Sequence, residues 1–294
     1  NYEDYSRNRI FGYARASWEF TDFLNASVRF GLDNYGEEQN ERIAVSSVDQ
    51  SAFGNYRKNY LETNTDLMLN FDKVFGKVTV DAMAGFSNNY RQTNSIYTTT
   101  IGGLIVPDLY TVSNSKSPVR VREWLTKRGY NSVLGSVRIG YGNFIYLEAS
   151  GRNDWVSTLP EDNNSYFYPS ASLSLLVNEL GGLKDVSWLS LLKVRGNYAQ
   201  VGNDAPAYSL ISTYTQNTSW GDYALFSVNS TLQNPDLLPE RTKSWEFGIE
   251  GSFFQGRVGF DIATYQANSY DQIMPVLVSP TSGVTRRWVN GGEI

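Results

Sequence analysis

The chain has 294 residues, a net charge of −5 and an aromatic content of 14%, with 20 Tyr and 7 Trp. It contains no Cys and no His, which excludes disulfides, thiolate zinc sites, thiol nucleophiles and Ser-His-Asp triads. Its basic residues are scattered, which argues against a nucleic-acid partner. No run approaches the ~20 apolar residues of a transmembrane helix, although β-barrels remain open because their alternating strands average to a polar composition.

Period-two patterning begins at once. Ile10, Gly12, Ala14, Ala16 and Trp18 share a face opposite Tyr13, Arg15, Ser17 and Glu19. After a short connection at 20–23, Leu24, Ala26, Val28, Phe30 and Leu32 alternate with Asn25, Ser27, Arg29, Gly31 and Asp33. Residues 34–56 are mostly polar and read as a long loop. A second hairpin places Leu61, Thr63, Thr65, Leu67, Leu69 and Phe71 against Glu62, Asn64, Asp66, Asn70 and Asp72. It turns at 73–77 around Gly76 and returns through Val78, Val80, Ala82, Ala84 and Phe86. Residues 88–130 read as a second long loop, in which Arg120, Arg122, Lys127 and Arg128 form a solvated basic cluster.

The clearest stretch is 142–180. A tight turn at Gly142-Asn143 leads into Ile145, Leu147 and Ala149, which alternate with Tyr146, Glu148, Ser150 and Arg152. Beyond a polar loop, Pro169, Ala171, Leu173 and Leu175 alternate with Ser170, Ser172 and Ser174. A short helical turn is expected near Leu183, then a strand through Leu192, Val194, Gly196 and Tyr198. A Tyr-rich loop covers 202–238. The hairpin Trp245, Phe247, Ile249 / Val258, Phe260, Ile262 follows, and residues 273–294 read as a further strand, a loop and the opening of another.

The count is about eleven strands, with short turns and long loops in two alternating classes, as transmembrane barrels show. One face is apolar and suited to lipid. The other carries Arg29, Asp81, Glu148, Arg152, Asp154, Arg195, Glu246 and Asp261, and reads as a polar lumen wall, not as catalytic carboxylates. An enzyme, a resident metal and a cofactor are not expected. The candidate ligand contacts are the aromatics Trp155, Trp220 and Tyr223, which can stack on sugar rings or peptide side chains. Their alternative role is an interfacial girdle or loop packing. Asn217-Thr218-Ser219 and Asn229-Ser230-Thr231 fit the glycosylation pattern, which is common by chance. The opening NYEDYSRNR has no apolar h-region, and the chain is expected to be an internal part of a longer protein.

Several phrases resemble the barrel domain of the SusC-like TonB-dependent transporters of Bacteroidetes. They are SGRNDW-STLP with NNSYFYPS at 150–170, LKVRGNYAQVGND at 192–204, NPDLLPERTKSWEFG at 234–248, and the closing VNGGEI. The resemblance implies a barrel of about 22 strands, of which residues 1–294 are one partial all-β domain without plug, TonB box or C-terminal strands. It implies an outer-membrane location and energised import of glycans or peptides. The implied partners are a SusD-like lipoprotein, the TonB–ExbB–ExbD complex, outer-membrane lipid and an oligosaccharide or peptide substrate. The competing expectation is an outer-membrane adhesin that binds through its loops.

Overall fold

The computed structural model describes residues 2–217 and 219–294, so the Asn217-Thr218-Ser219 sequon lies partly outside the described residues. Its strands are β1 (Tyr2–Thr21), β2 (Leu24–Ile43), β3 (Ala52–Phe75), β4 (Val78–Leu104), β5 (Ser115–Tyr141), β6 (Ile145–Val156), β7 (Ser165–Leu176) and β8 (Leu189–Asn203). Then come β9 (Tyr214–Gln216), β10 (Phe226–Val228), β11 (Thr231–Leu232), β12 (Glu240–Phe253), β13 (Val258–Tyr270), β14 (Ile273–Leu277) and β15 (Arg286–Asn290). Ten of them form one sheet in the order β1-β2-β3-β4-β5-β6-β7-β8-β12-β13. Every link in that order is a sequence neighbour apart from β8–β12, the pattern of an antiparallel meander.

Two expectations need correction. The polar stretches 34–56 and 88–130 are mostly strand, and only 44–51 and 105–114 connect. A strand tilted in a bilayer needs only about 9–11 residues to cross, whereas β4 and β5 each have 27. The excess runs through water, where neither face needs to be apolar, and the period-two hydropathy signal disappears with the lipid. The basic cluster Arg120, Arg122, Lys127 and Arg128 is therefore on a strand. At the end of the chain the expected strand, loop and strand are present as β14 and β15, which pair with each other and with β11 and not with the main sheet. The helical turn near Leu183 exists as two 3-10 turns, Val177–Glu179 and Gly181–Leu183.

The chain divides into two compact units. One comprises the segments up to Ala16, Arg29–Thr65 and Asn88–Gly129; the other comprises Ser17–Val28, Asp66–Ser87 and Tyr130–Ile294.

In the second unit the register confirms the expected faces. Leu147 lies opposite Ile139 and Leu173, while Glu148 lies opposite Arg138 and Ser172. Ile249 lies opposite Val194 and Ile262. The apolar row is not covered by protein: Phe247 is 59% exposed, Leu147 50% and Leu173 46%. Such a row is stable only in a medium that does not penalise it, which is hydrocarbon. The short turns carry aromatics on their flanks. Phe23 meets Phe71 edge-on at 5.6 Å, Tyr141 meets Phe144 at 5.7 Å, and Trp188 stacks on Phe253 at 5.9 Å. This is an aromatic girdle at one membrane interface. The turn at Gly142-Asn143 has positive φ at both residues, 59° and 62°, the conformation that suits a tight hairpin between right-twisted strands.

The buried hydrophobic cluster of the described residues lies at the opposite ends of the strands, among the long connections. Val156, Leu159, Ala205 and Leu237 form it, packed against Tyr130, Tyr166, Leu210, Ile273 and Trp288.

Candidate ligand-contact surfaces

The polar face of the second unit is a chain of ion pairs. Arg138 Nη2 lies 2.9 Å from Glu148 Oε2. Arg195 reaches Glu246 at 3.5 Å and Asp261 at 3.0 Å, so a single guanidinium bridges β8, β12 and β13. That reach depends on Gly248, because a Cβ there would sit 2.7 Å from the Arg195 guanidinium. Asp72, Asp81, Arg138 and Glu148 line an open recess of about 530 Å³ together with Ser172 and Ser174. Pairs of this kind in a wet wall contribute little individually. They keep the face polar and hydrated, and no group of three acidic or His/Cys side chains arranged for a metal occurs among the described residues.

The stretch 150–170 is a structural node. Arg152 donates to Asp154 at 2.7 Å and to Ser132 at 2.8 Å, and its guanidinium faces the Tyr130 ring. Asp154 is buried and also accepts the Tyr168 hydroxyl. Four residues on, the buried Thr158 donates to Asp204 in the GND phrase. The buried carboxylates are thus paired and hydrogen-bonded, as buried charge requires. They lock the β6–β7 loop to the end of β8, above the hydrophobic cluster.

The three candidate aromatics do not converge. Trp155 is 43% exposed on β6, in the same alternating row as Leu147 and Ala149, so it belongs to the apolar face. Trp220 and Tyr223 do meet: each donates its N–H to the other's carbonyl, at 3.0 and 3.1 Å, around Gly221 with φ of 59°. They cap a hairpin formed by β9 and β10 and are 78% and 75% exposed.

Sequence reasoning missed a second aromatic feature, in the first unit. Tyr35 and Tyr60 stack with centroids 4.6 Å apart and planes 15° apart. Arg7 lies 3.9 Å from the Tyr35 centroid and Arg91 5.9 Å from that of Tyr60. Glu37 accepts from the Tyr5 hydroxyl at 3.0 Å and pairs with Arg7 and Lys58, both at 3.5 Å. Glu62 accepts from Tyr60, from Asn89 at 2.8 Å and from Arg91 at 3.3 Å. Burial, and then the neighbouring Glu62 carboxylate, push the Tyr60 phenol up to about 12. Burial raises the Glu62 carboxyl, but the bonds from Tyr60, Asn89 and Arg91 outweigh it and hold the group below its usual range. The ring faces are occupied by one another and by cations. This ladder ties β1, β2, β3 and β4 together and is not an open stacking platform. Its signal was present as alternating Tyr35, Glu37 and Lys58, Tyr60, Glu62, but Tyr35 and Glu37 fell in a segment assigned to loop, as did Asn89 and Arg91.

An antiparallel sheet with a lipid-suited face, an ion-paired face, an aromatic girdle at the short turns and long connections opposite defines an outer-membrane β-barrel wall. The family described as TonB dependent receptor-like, beta-barrel matches residues 1–294, and the chain belongs to it. It is similar to the TonB-dependent receptor P26 of Formosa agariphila, with 27% identity over 176 residues, covering 55% of this chain and 17% of that protein. It is also similar to the TonB-dependent receptor SusC of Bacteroides thetaiotaomicron, with 25% identity over 179 residues, covering 58% of this chain and 18% of that one. In fold it matches a chain of the RagAB peptide transporter with a TM-score of 0.87 at 18% identity, covering 99% of this chain and 33% of the other. The matched segments thus cover less than a fifth of the length of these curated relatives. Barrels of this family lie in the outer membrane and cross it with strands; no helix among the described residues is long and apolar enough to do so.

Proposed function

We propose that residues 1–294 are a partial barrel wall of a SusC/RagA-type TonB-dependent importer, which takes up oligosaccharides or peptides together with a SusD-like surface lipoprotein and is energised through TonB–ExbB–ExbD. The observation that carries this reading is the ion-paired polar face, Arg138–Glu148 and Arg195–Glu246–Asp261, backed by an exposed apolar row, in a chain of the TonB-dependent receptor family. A wall with water on one side and lipid on the other surrounds a passage, and the fixed charges keep that passage hydrated. Trp220 and Tyr223, at the tip of an exposed hairpin, are the proposed first contacts for cargo, since exposed aromatic rings stack on sugar rings and peptide side chains alike. Trp155 is proposed as an interfacial anchor in the apolar row. The test uses a strain carrying the full-length protein and an isogenic deletion. Labelled oligosaccharide and labelled peptide pools are offered with and without an uncoupler. Energy-dependent uptake of one pool, lost on deletion, is expected together with co-purification of a surface lipoprotein. Equal uptake of both pools by the two strains would refute the reading.

A further inference from the structure

β5 outruns its neighbour. Its pairing with β6 begins at Tyr130, opposite Val156, where β6 ends. Residues 118–126 therefore have β4 on one side, and among the described residues no strand pairs with them on the other. Residues 116–127 are all exposed. An open edge of nine residues presents about 30 Å of unpaired N–H and C=O groups. The Gly142 N–H bonds to the Lys77 carbonyl of β4, so by alternation the even-numbered N–H groups of β5 face β4 and those of Val119, Val121, Glu123 and Leu125 face outward.

The side chains on this edge indicate what covers it. Arg120 and Arg122 take part in no ion pair among the described residues, whereas Arg7, Arg57, Arg91, Arg138 and Arg195 all do. The opposite row is apolar and open: Val119 is 37% exposed, Val121 52% and Leu125 48%. The charges of Arg120 and Arg122 defend one row of the edge, while nothing but Glu123 defends the other.

We propose that this edge is a docking strand for an extended acidic segment of a resident partner protein. The segment adds as one more strand beside 118–126, taking main-chain hydrogen bonds from Val119, Val121, Glu123 and Leu125. Its carboxylates pair with the two free guanidinium groups, and its alternate apolar side chains cover Val119, Val121 and Leu125. A resident partner is favoured over passing cargo, because a transient visitor leaves the half-defended edge bare for most of the time. The proposal concerns a surface distinct from Trp220 and Tyr223 and stands whether or not the import reading does.

The test follows hydrogen exchange of the full-length protein in detergent. Two synthetic ten-residue peptides serve as probes, one alternating Glu and Val, the other Lys and Val. The acidic peptide is expected to slow exchange within 118–126 by about tenfold or more, and the basic peptide to leave it unchanged. The R120E/R122E variant should lose the protection while exchange elsewhere in β4 and β5 stays as in the wild type. V121A should keep part of the protection and V121P lose it, because only the proline removes the outward donor. Absence of protection, or equal protection by both peptides, overturns the proposal and leaves Arg120 and Arg122 as defence of the edge alone. Protection without peptide that grows with protein concentration overturns it in favour of a second copy of this chain.

Discussion

Replacing Phe247 with Lys tests the membrane geometry directly. Phe247 sits on β12 six positions before Phe253, the last residue of the strand, next to the aromatic cluster of Trp188, Phe253 and Phe260. Six residues at about 3.3 Å each run about 20 Å along the strand, and a tilt near 40° reduces this to about 15 Å along the membrane normal. Phe247 is thereby placed at the middle of a hydrocarbon layer about 30 Å thick. A lysine at that depth on the lipid face costs about 2–4 kcal/mol. The ring also covers Gly196 across the strand pair, where a Cβ would lie 3.1 Å from it, and losing that contact adds up to about 1 kcal/mol. One position away, Glu246 faces the polar side and Arg195 at 3.5 Å. Glu246→Gln removes one of two partners in a hydrated ion pair and costs less than about 1 kcal/mol. The assay is denaturant unfolding of the full-length protein in lipid vesicles, followed by tryptophan fluorescence. A Phe247→Lys protein within about 0.5 kcal/mol of wild type, or a Glu246→Gln protein more damaged than it, would refute the lipid-facing assignment.

Other outcomes follow from the remaining contacts. Asp154→Ala leaves Arg152 and the Tyr168 hydroxyl without their shared acceptor and should cost about 2–3 kcal/mol in the same unfolding assay; a change under about 0.5 kcal/mol would mean that the node does not hold the loop. Gly248→Ala should cost less than about 1 kcal/mol, since only a flexible side-chain end is displaced, but it should break the Arg195–Asp261 pair, visible as loss of coupling in a double-mutant cycle with Asp261→Asn. Tyr60 resists ionisation in the folded chain. Its contribution is therefore full below about pH 10 and is lost as pH rises from 10 towards about 12, because the unfolded chain ionises first. Discounted for partial exposure, this amounts to about 1 kcal/mol, and limited proteolysis of β3 and β4 should show the wild type losing more protection over that range than Tyr60→Phe. Parallel pH profiles would remove Tyr60 from the explanation. Trp220→Ala with Tyr223→Ala should weaken cargo binding by about tenfold without altering unfolding, as two exposed rings contribute to contact and not to the core; unchanged affinity by titration calorimetry would clear the hairpin of that role.

Alternation alone determined the strands that cross the membrane. Leu147 against Glu148 and Phe247 against Glu246 could be assigned to opposite faces without coordinates, because a strand between lipid and water must place successive side chains in different solvents. The same logic fails where both sides are wet. β2 beyond Asp33, the start of β3 and the facing parts of β4 and β5 carry no hydropathy signal, so the Tyr35 side of the Tyr35–Tyr60 ladder, its β4 partners and the open edge of β5 were hidden in apparent loops. Their strand character comes from main-chain pairing and from cross-strand partners such as Glu62 with Asn89 and Arg91, which are distant in sequence. The grouping of β14 and β15 with β11 was also beyond the sequence, since a five-residue strand shows what it is but not which edge it joins. The sequence marked Trp155, Trp220 and Tyr223 as aromatic candidates and placed the last two in a long loop. Only the tertiary structure gave their surroundings, because the row of a strand decides that Trp155 joins the apolar face, while a two-residue turn closed by backbone hydrogen bonds brings Trp220 and Tyr223 together in water.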